Sequence, residues 1–302
     1  MNRTHRTGLL LAAMTAMISG VAVFLNTTAV RAFGDPALFT TAKNAVAGVA
    51  LLGIAVVAAA RRPARSGPVT DEVRRARRWL PVIAVVGGSV PFLLFFEGLS
   101  RATSTDAAFL HKTLVIWVAI MAVPLLGERI RVLHGAAITL LMLGQAAAGG
   151  GIPDLGAGTG EGMILAATLL WSVEVVIARR VLKAIPAATT AAWRMAGGGV
   201  LLIGWTALQR PDLAAVTTTG WLWALLTGAL LTGYVATWYA ALERAPAVDV
   251  SAVLVGASLI TTALAVGFRG AALAPALPGA ILVLAGVGLV LAAASRRTPA
   301  RT

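Results

Sequence analysis

Ten stretches of about twenty mostly apolar residues follow one another along this chain, parted by short polar connectors. Each is long enough to cross the roughly 30 Å hydrocarbon core of a bilayer. No other feature constrains the fold as tightly. In lipid every backbone polar group must be satisfied within the protein, and a helix does so inside a single segment. The runs fall near residues 8–30, 37–60, 79–99, 104–125 and 132–149, then 162–179, 187–208, 220–241, 246–267 and 274–294. Breakers stand between them: Gly34-Asp35-Pro36, Arg61-Arg62-Pro63, Gly149-Gly150-Gly151, Arg210-Pro211-Asp212 and Ala245-Pro246. The expected fold is an all-α integral membrane protein of ten transmembrane helices.

Composition agrees. Only 12% of the 302 residues are charged and the mean hydropathy is +0.86, against about a quarter charged in soluble domains. The absence of cysteine rules out disulfides, thiol catalysis and thiolate metal sites. Three scattered histidines (His5, His111, His134) do not suggest a zinc centre. No cofactor is expected, and no nucleotide-binding motif is visible that would supply direct ATP drive. The net charge of +13 sits in connectors rather than on an aromatic-interleaved basic face, which argues against nucleic acid. The apolar run after Arg3 and Arg6 has no clear cleavage site, so a retained first helix is expected over a signal peptide.

The placement of the cations orients the chain. With the N-terminus in the cytoplasm, eighteen Lys and Arg fall inside. Seven of these arginines lie in the connector 61–78, the longest polar loop. Four cations fall outside (Arg31, Arg101, Arg210, Arg269), and Lys43, Lys112 and Arg194 lie within helices. That bias puts both termini in the cytoplasm of an inner (plasma) membrane protein.

Five helices per half require any internal repeat to be inverted. Leu99-Ser100-Arg101-Ala102 followed by Asp106 matches Leu242-Glu243-Arg244-Ala245 followed by Asp249, at a constant offset of 143. Lys43 and Arg194 stand at similar points of the second and seventh helices, as do Ser19 and Ser172 in the first and sixth. Two inverted five-helix repeats, 1–150 and 151–302, are the architecture of alternating-access transporters, with the site between the halves.

Several stretches resemble the EamA branch of the drug/metabolite transporter superfamily. These are Phe39-Thr40-Thr41-Ala42-Lys43-Asn44, the run from Gly87 to Leu99, Ala108-Phe109-Leu110-His111-Lys112-Thr113, Leu126-Gly127-Glu128-Arg129, and Trp171 with Glu174. The resemblance spans roughly residues 8–294 and implies a ten-helix transporter of metabolites or small organic compounds, without naming a substrate. One departure stands out. Gly127 returns at the repeat offset as Gly270, but Glu128 returns as Ala271.

A charge at mid-membrane costs about 3 kcal/mol on insertion scales, so embedded ionisable groups mark function or pairing. Lys43 lies about 10 Å into its helix and Arg194 at equivalent depth from the opposite face. Cavity lining and snorkelling are the two readings of each. Glu97 and Lys112, on either side of the short turn 100–103, are expected to pair, either structurally or as a coupling site. Glu174 shares a face with Trp171 and Ala178, and could hold a cationic solute or pair with Arg179, Arg180 or Arg194. Asn44 accompanies Lys43, while Ser19, Ala22 and Asn26 form a weakly polar stripe. His111 is expected to hydrogen-bond a neighbouring helix. Asp106 and Asp249 suit first helical turns, where the dipole favours a carboxylate, and Glu128 suits a cap of the helix that follows it.

The candidate substrate-binding set is therefore Lys43, Asn44, Glu97, Lys112, Trp171, Glu174 and Arg194. The expected partners are a small-molecule substrate, the lipid bilayer and a coupling proton or ion. The expected function is a secondary transporter of a small polar or amphipathic organic solute, with three embedded cations leaning toward an anionic or zwitterionic one. The alternatives are export of a cation through Glu97 or Glu174, a non-transporting membrane protein, and an intramembrane enzyme, for which no nucleophile–base set is visible. Reporter fusions after residues 70 and 185 are expected to read cytoplasmic, and a fusion near residue 155 to read external. A cytoplasmic signal at 155 would overturn both the inverted repeat and the ten-helix count.

Overall fold

The computed structural model describes residues 3–61, 70–149, 151 and 158–295, among which there are helices and turns and no strand. Arginines 62, 65, 296, 297 and 301 of the charge count, and most of the connector between the halves, lie outside the described residues. Helix α1 spans Arg3–Phe33 and α2 spans Pro36–Ala60. Helix α3 runs in three pieces, Asp71–Arg77, Leu80–Gly88 and Val90–Leu99. Helix α4 has two, Ser104–Lys112 and Leu114–Leu126, followed by α5, Val132–Ala148.

In the second half α6 is Thr159–Val181. Helix α7 covers 187–208, with a π turn at Trp193–Gly197 between its α-helical ends. Helix α8 is Thr218–Arg244, α9 is Ala247–Val255 followed by Ala257–Arg269, and α10 is Leu273–Ser295.

Eight of these are long and apolar enough to cross a membrane. The two that fall short of that measure do so for different reasons. Helix α5 has 17 residues, about 25 Å of rise, and α7 is divided by its π turn.

Local chemistry sets the ends. Asp35 caps α2, its Oδ1 accepting from the Ala37 and Leu38 amides at 2.9 Å, with Pro36 in the first turn where no amide is needed. Thr103 and Thr217 cap α4 and α8 in the same way, accepting from Asp106 and Gly220. Helices α4 and α9 both stop at a left-handed glycine, Gly127 at φ 67° and Gly270 at φ 65°. These two glycines, and the interruptions at Thr113 and Gly256, are each separated by the offset of 143 seen in the sequence.

The packing repeats as well. Helix α1 packs on α8 and α9, as α6 packs on α3 and α4, and α2 packs on α8 as α7 packs on α3. Helices α2 with α7, α4 with α9, and α5 with α10 pair with their own counterparts. Small residues permit the closest approaches. A Cβ on Gly8 would lie 2.7 Å from Ala245 Cβ, and one on Gly144 would lie 2.9 Å from the Gly279 carbonyl oxygen. This is the small-residue packing by which membrane helices associate without a hydrophobic drive between them.

The two ends of the bundle differ. At the Arg-rich end, where α1 begins, Asp249 is fully buried and accepts from His5 and His134, each at 3.1 Å. Asp249 does sit in the first turn of its helix, but it also ties α9 to α1 and α5.

Glu128 does not cap the helix that follows it. Its carboxylate accepts from the amides of Ala247 at 2.7 Å and Val248 at 3.1 Å, and so clamps the N-terminus of α9. The reason is steric order: the turn after Gly127 aims residue 128 across the two-fold-like packing of α4 on α9. The first turn of α5 is closed locally, by the Arg131 amide donating to His134 Nδ1. Arg180 reaches the Leu125 carbonyl, Arg179 reaches the Glu243 carbonyl, and Glu243 accepts from the Ala187 amide. At the opposite end the corresponding tie is Arg269 of α9, which donates to Phe24, Thr27 and Thr28 of α1.

Glu128→Ala leaves two buried amides without an acceptor, so it is expected to destabilise the fold by about 1–3 kcal/mol, read by thermal unfolding in detergent. Burial holds the Glu128 carboxyl above its ordinary value, against the two amide bonds that pull it down. Such a group favours folding most at low pH, and that contribution fades as pH rises through the elevated value. Glu128→Gln, which cannot ionise, is therefore expected to gain stability relative to the native chain as pH is raised. A constant difference between the two across pH would remove the charge from the account.

Candidate functional site

Eight helices, all but α5 and α10, contribute side chains to one cavity of about 170 Å³ between the halves. Helix α1 supplies Ser19, Ala22, Val23 and Asn26, the weakly polar stripe read in the sequence. Helix α2 supplies Lys43, α3 Phe92, α4 His111 and Leu114, and α9 Leu254. Trp171, Glu174 and Val175 come from α6, and Arg194 from α7. Helix α8 supplies Thr227, Leu231, Tyr234 and Trp238.

The geometry at one wall follows from two glycines. Helix α3 breaks at Ser89, and Gly87 and Gly88 just before the break lie against α6 and α7. A Cβ on Gly87 would stand 2.4 Å from Glu174 Cγ, and one on Gly88 only 2.0 Å from the Arg194 carbonyl oxygen. The missing side chains let Glu174 and Arg194 meet beside α3. Arg194 Nε lies 3.8 Å from Glu174 Oε2, and the two residues are 6% and 1% exposed. Tyr239 of α8 donates its hydroxyl to Glu174 Oε1. The Arg194 guanidinium also stands 5.9 Å from the Phe92 ring centre and contacts Met195 Sδ. Arg194 rides on the π turn, a helix irregularity that is frequent at functional sites.

Trp171 forms the aromatic wall. Its indole N–H donates to the Gly87 carbonyl at 3.1 Å, and Phe92, Phe95 and His111 pack edge-on or tilted against it at 5.1–5.6 Å. His111 is not hydrogen-bonded to a neighbouring helix as expected. Its Nδ1 is buried without a hydrogen-bond partner among the described residues, because aromatic rings occupy the positions a partner would take.

Lys43 is 6% exposed, and its ammonium stands 5.3 Å from the Phe39 ring centre and 5.2 Å from that of Phe96. No carboxylate lies within 4 Å of it among the described residues. Asn26 Oδ1 and Arg194 Nε are likewise buried without a hydrogen-bond partner. Unlike the great majority of buried polar atoms, these two, His111 Nδ1 and Asn44 Oδ1 are unsatisfied among the described residues; all but Asn44 belong to residues of this one cavity.

Four of the seven candidates therefore come together: Lys43, Trp171, Glu174 and Arg194. Asn44 is fully buried but off the cavity, its amide donating to the Thr40 carbonyl at 2.7 Å.

Glu97 and Lys112 do not pair. Glu97 is bound by Arg101, in the turn just past the end of its helix, with both side chains about half exposed. It faces a separate cavity with Asp35 and Trp205. Lys112 faces a third cavity, with Gln145 and Ser258. The physical reason is local: Arg101 is four residues from Glu97, in the turn that follows the helix, a shorter reach than Lys112 on the next helix.

Tyr239, Tyr234, Trp238 and Phe92 were not among the sequence candidates. Thr227, Leu231, Tyr234 and Trp238 recur at helical spacing along α8, and a buried tyrosine needs a partner for its hydroxyl. That signal was present.

A family model described as the EamA-like transporter family matches residues 6–148 and again 158–292. A crystal structure described only as that of a protein aligns with a TM-score of 0.75 at 19% identity, over 93% of this chain and 98% of that one. At that identity it shows the fold alone. No curated protein matches the chain.

Tyr239→Phe removes the neutral donor to Glu174 while keeping the ring volume. A hydrogen bond to a charged group is worth about 1.5–3 kcal/mol, so the variant is expected to melt lower by a corresponding amount. Glu174→Gln together with Tyr239→Phe should cost less than the two single changes combined, since they share one bond. Additive effects would show that the hydroxyl does not hold the carboxylate.

Proposed function

The chain belongs to the EamA-like transporter family, and from that premise we propose that it carries a small organic solute with an anionic group across the inner membrane by alternating access. Ten transmembrane helices form two inverted five-helix repeats, 1–150 and 151–302, with both termini in the cytoplasm. The repeated packing, the paired left-handed glycines and the offset of 143 support the inversion. The eighteen-to-four distribution of cations supports the orientation. In that orientation the ties made by Glu128, Asp249, Arg179 and Arg180 lie on the cytoplasmic side, and the solute site lies between the halves, where inverted-repeat carriers bind.

The observation that carries the substrate class is Lys43. It is a buried cation at membrane depth that stands over two aromatic rings with no carboxylate within 4 Å among the described residues, and it shares a cavity with the unsatisfied Nε of Arg194. A carboxylate or similar anion entering the cavity satisfies both. The aromatic wall of Phe92, Trp171 and Trp238 suits an apolar body behind that head group. A cationic solute held by Glu174 is disfavoured, because that carboxylate already receives Tyr239 and lies beside Arg194. Glu97 is bound by Arg101 and lies off this cavity.

The test is uptake into proteoliposomes from matched panels of small anionic, zwitterionic, neutral and cationic solutes. Lys43→Met is expected to lower transport of the anionic or zwitterionic solutes by about 10–100-fold, the worth of one hydrogen bond to a charged group, while the protein still folds. Transport restricted to cations, or a folded Lys43→Met carrier with unchanged kinetics, would overturn the substrate class.

A further inference from the structure

The cavity that holds Lys112 stands apart from the central site. It measures about 290 Å³ and lies among α1, α4, α5 and α9, with Lys112, Gln145, Ser258, Thr261 and Thr262 supplying its polar groups. Lys112 is the last residue of the first piece of α4, eight residues beyond Ser104, or about 12 Å into the membrane. At that depth a cation without a counter-ion is costly to hold, and such groups mark function or pairing.

The described residues offer it no counter-ion. Among the described residues no carboxylate lies within 4 Å of Lys112, and its ammonium makes no hydrogen bond. The two acids nearest in sequence are engaged elsewhere: Glu97 with Arg101, and Asp106 accepting from the Thr103 hydroxyl at 2.6 Å. The polar neighbours are partly committed as well. Gln145 Nε2 donates to Ser258 Oγ at 2.8 Å, Ser258 donates to the Val255 carbonyl, and Thr261 donates to the carbonyls of Gly20 and Ala257. The ammonium, with three donors, and the Thr262 hydroxyl remain for an incoming acceptor. Val23 lines both this cavity and the central one, so a single side chain of α1 borders the two.

We propose that this cavity binds the anionic head group, phosphate or carboxylate, of an amphiphile dissolved in the membrane, with Lys112 as its counter-ion. The head group comes either from a bilayer lipid or from an amphipathic solute on its way to the central cavity. Binding is read without transport, so the proposal stands or falls separately from the assignment of the central site.

The test has two arms. In one, the full-length protein in phosphatidylcholine nanodiscs containing phosphatidylglycerol is released into a native mass spectrometer and its retained lipid identified. In the other, lipid-free protein in a neutral detergent is titrated with octyl phosphate and followed by thermal unfolding. Each is run on the native chain, on Lys43→Met, which weakens the central cavity's own hold on an anion, and on Lys43→Met combined with Lys112→Arg or with Lys112→Met. The expected result is at least tenfold preference for the anionic ligand in the native chain, in Lys43→Met and in its combination with Lys112→Arg, and loss of that preference when Lys43→Met is combined with Lys112→Met. The arm that shows this names the source: the lipid in the first, a soluble amphiphile in the second. Should the combination with Lys112→Met fold poorly, Lys112→Gln in its place carries the same comparison. The proposal is overturned if neither arm depends on residue 112, or if Lys43→Met alone abolishes the binding.

Discussion

Arg194 is buried at 6% exposure among four helices, and the structure around it answers that constraint. A guanidinium in the membrane interior must find an anion, aromatic faces or carbonyls, since its solvation cost otherwise exceeds what packing returns. Four helices are fixed by that need. Helix α6 brings Glu174, α8 brings Tyr239 to the same carboxylate, and α3 presents Gly87 and Gly88 where any side chain would intrude. The π turn of α7 sets the depth and angle of Arg194 itself. Removing one member strands the others, so the cluster is held as a unit. The fully buried Nε of Arg194 is left without a hydrogen bond among the described residues, and Arg194 lines the central cavity.

Much of this was legible in the sequence, because membrane insertion makes length and apolarity nearly sufficient. The helical segments, the breakers at Asp35-Pro36 and Pro246, the repeat offset, and the placing of Lys43, Trp171, Glu174 and Arg194 in one cavity all follow from depth and periodicity. Lateral partnership did not follow. Depth alone made Glu97 and Lys112 look like neighbours, but which way a side chain points around its helix decided otherwise, and Arg101 was closer. Glu128 was read as serving the next element in the chain, whereas it serves one 119 residues away. Tyr239 escaped because its partner lies on another helix, and a lone aromatic carries no mark of what it faces. The break at Ser89 did carry a mark, since Pro91 stands in the first turn of the piece that follows it, whereas the π turn in α7 has no proline to announce it.

The repeat is clearest where the chain needs backbone geometry and faintest where it needs charge. Gly127 and Gly270 share nearly identical dihedral angles, and the interruptions at Thr113 and Gly256 coincide. By contrast Asp249 accepts from two histidines, while its counterpart Asp106 accepts from Thr103 alone among the contacts described. The scaffold is thus near-symmetric and its polar ties are not. In the proposed cycle, a scaffold that two orientations share, with ties that only one orientation makes, lets the two closed forms of one bundle differ in free energy.

In the alternating access proposed above, the alanine at the second copy of the Gly-Glu pair takes on a kinetic meaning. Glu128 bridges α4 to the first amides of α9, whereas Ala271 has no carboxylate with which to bridge α9 to the start of α4. A carrier whose two latches have unequal strength spends unequal time behind each of them. It still delivers its cargo to the same final distribution, because a catalyst of translocation cannot move an equilibrium. What changes is the concentration at which each face saturates: the face opposite the stronger latch fills at lower solute levels, and flux measured in the two directions obeys different half-saturation values. One missing carboxylate is enough to give a pseudo-symmetric carrier a front and a back.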